Sequence, residues 1–129
     1  MDSTTKLDYG IYIDPGKAFI FSKNPFDETV PVLTRIELNN QPADLPPPHE
    51  SVKKLQVEDF VERILALLQN ARRILVFGPS DEKYALFKAI HADESFTDLE
   101  KTVVVAREEE QPIQAQLFFE HYYSLHSAF

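Results

Sequence analysis

Between residues 9 and 22 the chain alternates as two paired strands do. Tyr9, Ile11 and Ile13 alternate with Gly10 and Tyr12, and an apolar run from Ala18 to Phe21 resumes after Asp14-Pro15-Gly16-Lys17. Alternation of period two sets successive side chains on opposite faces of a strand. The intervening tetrapeptide predicts a type II turn, because Pro presets φ at the first central position and Gly accepts positive φ at the second. A third strand is predicted over 30–39, where Val32, Thr34, Ile36 and Leu38 form an apolar face against the mixed Leu33, Arg35 and Glu37. Three such strands in a row predict an antiparallel meander.

The pattern then changes period. Asn39 to Ser51 carries Pro42, Pro46, Pro47 and Pro48, which block both helix continuation and ladder pairing and predict an ordered or semi-extended loop. From about Gln56 to Gln69, Val57, Phe60, Val61, Ile64, Leu65 and Leu68 recur at helical spacing, with Glu58, Asp59, Glu62 and Arg63 opposite. That is an amphipathic helix. Ile74 to Phe77 is a continuous apolar run suited to a strand covered on both faces, ended by Gly78-Pro79-Ser80. Ser80 is placed to cap a helix over 81–91, with Asp81 and Glu82 against the positive end of its dipole. Thr102 to Ala106 reads as a second buried strand, and a closing helix is predicted from Pro112, a favoured first helical position, to Ser124.

The order β-β-β-α-β-α-β-α predicts an α/β fold. Its mixed five-stranded sheet combines the meander with right-handed βαβ crossovers, and helices flank it. The strands at 74–77 and 102–106 are expected side by side at its heart, with the meander at its margin. Residues 1–129 show no repeat, second domain or low-complexity tail, so one domain is expected, a size able to bury its own core.

Composition narrows the chemistry. With no cysteine, disulfides, thiolate metal sites and cysteine nucleophiles are excluded. The polar start MDSTTKLD is no secretory signal, and no run approaches the roughly 18 apolar residues that span a bilayer. A cytoplasmic location without membrane association is expected. The formal net charge of -8 opposes non-specific binding to nucleic acid. The close basic pairs Lys53-Lys54 and Arg72-Arg73 read as water-exposed element boundaries.

The segments YGIYIDPGKAFIF, RRILVFGPSDEKYALFKAI and EEEQPIQAQLFFEHYY resemble a group of small bacterial proteins related to class I translation release factors of archaea and eukaryotes. The resemblance spans most of residues 9–123. It implies the fold of translational machinery components, a mixed sheet flanked by helices and similar in outline to ribonuclease H. The release factors carry a Gly-Gly-Gln loop between the third strand and the first long helix, which helps water hydrolyse peptidyl-tRNA. Here that stretch is the proline-rich 39–51, and Gly10, Gly16 and Gly78 are the only glycines. Hydrolysis by that route is not expected.

Candidate ligand-binding residues are Asp14, Gly78, Pro79, Ser80 and Lys83. Gly78-Pro79-Ser80 lies beyond the carboxyl end of a strand, where open α/β sheets bind ligands. Asp81 and Glu82 already fill the positive field a phosphate would use, which favours a structural turn. Asp14 ends a strand where ribonuclease H-like nucleases carry a metal-binding carboxylate, yet Asp is also a favoured first residue of a Pro-Gly turn, and the turn role is preferred. His121 and His126 are about 500° apart around a helix and share no face. His49 and His91 stand alone in the sequence. No metal or cofactor is therefore expected.

Candidate interaction residues are Phe119, Tyr122 and Tyr123 of the closing helix and Pro46, Pro47 and Pro48 of the loop. Leu117, Phe118, Phe119, Tyr122, Tyr123, Leu125 and Phe129 cover too much of the circumference for one core stripe, so some are expected to pack on the sheet and the surplus to form an exposed apolar patch. The preferred expectation is a non-catalytic binding or adaptor domain with a protein or ribonucleoprotein partner, a second copy of the chain being one candidate. A ribosome- or tRNA-associated factor without hydrolase activity is the first alternative. A small enzyme or ligand-binding protein using a pocket near Gly78 is the second.

Overall fold

A computed structural model describes residues 6–24, 31–37, 61–108 and 111–126. They form the α/β architecture expected. The elements are β1 (Leu7–Ile13), β2 (Lys17–Lys23), β3 (Val32–Glu37), a helix α1 described over 61–67, β4 (Ala71–Gly78), α2 (Glu82–Ala92), a 3-10 turn (Glu94–Phe96), β5 (Glu100–Val105) and α3 (Pro112–His126). The proline-rich loop, with Pro46, Pro47 and Pro48, lies outside the described residues.

The five strands make one sheet in the order β3-β2-β1-β4-β5. β1 pairs antiparallel with β2, and β2 with β3, while β1 and β4, and β4 and β5, pair parallel. The strands at 74–77 and 102–106 are indeed neighbours. The centre, however, is β1 with β4, and β5 is an edge. Val103 packs against one half of the core and Val104 against the other, yet Val105 is 69% exposed and the rest of β5 is at most half-buried, so the expectation of a second buried strand is corrected to a partly covered edge. An apolar β-branched run marks strand propensity, but coverage depends on how many neighbours a strand acquires. The same reason corrects β3. Ile36 packs against the core, yet Val32 on the same face is 65% exposed at the opposite edge.

Alternation along the central strands sorts the core into two halves. Tyr9, Ile11 and Ile13 of β1, Ala18 and Ile20 of β2, and Ile74 and Val76 of β4 face α1 and α2, where Ile64, Leu68, Leu86 and Ile90 close an aliphatic cluster. On the other face Tyr12, Phe19, Phe21, Leu75 and Phe77 meet Ala115, Phe119 and Tyr123 of α3. Those three helical residues follow at i, i+4 and i+8 and so line one stripe. Phe119 stacks on Phe21 with ring centroids 5.9 Å apart, and Phe118 on Phe77 at 4.6 Å. Gly10 makes this seat possible, because any Cβ there would overlap the Phe119 ring. Each aromatic side chain buried in this way stabilises the fold by about 1.5–3 kcal/mol.

Phe119 and Tyr123, at 1% and 8% exposure, are therefore among the residues that pack on the sheet and not part of the surplus that reaches solvent, which corrects their choice as interaction residues. Tyr122 is half-buried beside Tyr123. Among the α3 residues whose burial is described, Ile113 and Leu117 are the large apolar side chains exposed to solvent.

Candidate functional site

The parallel pairing of β1 with β4 brings their carboxyl ends together, setting Ile13 and Asp14 beside Gly78. A Cβ at Gly78 would overlap the Ile13 carbonyl oxygen, and the Gly78 carbonyl accepts the Ala106 N–H at 2.9 Å. The glycine thus lets three chain segments converge at one point. Tertiary approach requires it, not positive φ, since no glycine here has one.

Asp14 is buried at this end, 3% exposed. Its Oδ1 accepts the N–H groups of Gly16 (2.8 Å) and Lys17 (3.0 Å). Its Oδ2 accepts the Tyr12 hydroxyl (2.6 Å) and the Lys17 ammonium (2.8 Å). Burial alone would raise the carboxyl pKa, but the bonds from Lys17, Tyr12 and Gly16, with the Lys17 charge, outweigh it and hold the group below its ordinary range. Lys17 also lies over the Tyr12 and Phe19 rings, 5.7 and 5.8 Å from their centroids. Four donors take up the carboxylate, which clamps the hairpin turn. The turn differs from the type II form expected, because the Asp14 side chain bonds the backbone ahead and Gly16 needs no positive φ.

Across the gap, the β4–α2 turn is closed by its own side chains. Ser80 stands one residue before the cap position, which Asp81 occupies without a side-chain capping bond. The Ser80 hydroxyl instead donates to the Glu82 carboxylate at 2.6 Å. Lys83, only 2% exposed, donates its ammonium to the Ser80 carbonyl at 2.8 Å and lies 4.3 Å from the Tyr84 ring centroid. Gly78, Pro79, Ser80 and Lys83 thus belong to one turn, which meets the strand end before Asp14 where Ile13 abuts Gly78. The polar groups of Asp14, Ser80 and Lys83 all have partners inside the protein. Among the described residues, no three His, Cys, Asp or Glu side chains gather as a metal site would require.

The other end of the central strands holds a feature that the sequence alone did not reveal. Arg73 of the basic pair is not at an exposed boundary: it is 8% exposed and grips Asp8 of β1 with two bonds, Nε to Oδ1 at 3.0 Å and Nη2 to Oδ2 at 2.6 Å. Its guanidinium lies 4.1 Å from the Tyr123 ring centroid, and Arg72, exposed as expected, stands 3.7 Å from Asp8. The bond to Asp8 holds the Arg73 pKa above its ordinary value despite burial. Burial, reinforced by the Asp8 charge, pushes the Tyr123 phenol well above its own, and its hydroxyl donates to the Tyr9 carbonyl. The sequence signal for this cluster was slight: Asp8 shares the inward parity of Gly10 and Tyr12.

A cleft of about 770 Å³ opens near this amino end, between the end of α1 and the turns leading into β5, lined among others by Leu68, Asn70, Arg72, Phe96 and Glu100. It lies at the end of the sheet away from Gly78. No described helix is long and apolar enough to cross a membrane. No protein-family model matches the chain, and a search of curated proteins found no significant match.

Proposed function

We propose that this chain is a non-catalytic binding or adaptor domain, built on a core related to the translation release factors, that contacts a protein or ribonucleoprotein partner through the outer face of α3. The observation that carries this reading is the placement of Ile113 and Leu117. They lie one helical turn apart, are 55% and 56% exposed, and point away from a helix face already filled by Ala115, Phe119 and Tyr123. Paired aliphatic side chains at i and i+4 are the spacing by which a helix engages an apolar groove. At the carboxyl end of the sheet, by contrast, Asp14, Ser80 and Lys83 are spent on internal bonds, which supports binding over chemistry. Peptidyl-tRNA hydrolysis forms no part of the proposal, since the sequence has no adjacent glycines.

The test is affinity capture from the native cell with the wild type and with the double variant Ile113→Gln/Leu117→Gln, alongside sedimentation with ribosomes. The wild type should retain a partner that the variant loses while both unfold at the same temperature. Equal capture by both would overturn the assignment to α3. Ribosomes that carry down the wild type and not the variant would make the partner a ribonucleoprotein.

A further inference from the structure

No further inference is drawn: the strongest candidate, the cleft at the amino ends of β4 and β5, sets Asp93, Glu94, Asp98 and Glu100 against Lys6, Arg72 and Arg73, so its charges select no class of ligand and nothing in the structure shows what covers it.

Discussion

Two buried aspartates bracket β1, and they are held in opposite ways. Asp14 is satisfied by its own neighbourhood, with every donor drawn from residues 12 to 17. Asp8 is satisfied by Arg73, 65 positions away in sequence, with Tyr123 closing the cluster from α3. A local clamp shapes one turn. A remote pair ties β1 to β4 and the sheet to its covering helix, so its loss is felt throughout the fold. Buried charge is costly wherever it lies, and the two ends differ in how much of the molecule must be in place before that cost is met.

The largest effect is expected from breaking the remote pair. Arg73→Met should leave Asp8 buried without its main partner and cost about 3–5 kcal/mol in denaturant unfolding, whereas Asp8→Leu/Arg73→Met, which removes both charges, should recover much of that loss. A single variant as stable as the wild type would show that the pair does not tie the strands. At the opposite end, Gly78→Ala forces a methyl group against the Ile13 carbonyl and should cost about 1–3 kcal/mol by overpacking, measured in the same way.

Asp14→Asn should cost less, about 1 kcal/mol at neutral pH, and its sharper signature is in acid. The folded carboxyl lies below its ordinary value. Its stabilising contribution is therefore complete above the unfolded value of about 3.9 and is lost as pH falls from there through the lower folded pKa. Stability measured from pH 5 downward should fall less steeply in the variant than in the wild type. Superimposable acid limbs would mean that the clamp is not electrostatic. The smallest effect belongs to Ile113→Gln/Leu117→Gln, expected to shift stability by no more than about 0.5 kcal/mol because neither side chain is part of the core. A large loss would move both residues into the core and remove the surface on which the binding role rests.

The fold was largely legible because its signals are local. Period-two alternation in β1 and β2 and the apolar run of β4 were visible in the one-dimensional pattern, as was the helical spacing around Ile64 and Leu68. So was the Asp14 turn, though not its type, since Pro-Gly admits more than one geometry and the aspartate side chain decided between them. The candidate site was legible only as a set of residues at strand ends. Sequence pattern located Asp14 and Gly78, but it could not show that their neighbours already consume the polar groups of Asp14, Ser80 and Lys83. The closing helix divides for a related reason: its surplus of apolar residues does reach solvent at Leu117, but which of them the sheet takes in, Phe119 and Tyr123, depends on the Gly10 seat and the reach of Phe77, which no local pattern carries.

What the chain by itself determined is the list of elements, their order and the parity of each strand, because these follow from backbone sterics and the separation of apolar from polar side chains over a few residues. Only the tertiary structure decided which strands are central, why Gly10 and Gly78 must be glycine, and that Arg73 is buried against Asp8. Those outcomes depend on which distant segments come to share a space, and packing density and charge pairing are properties of that shared space.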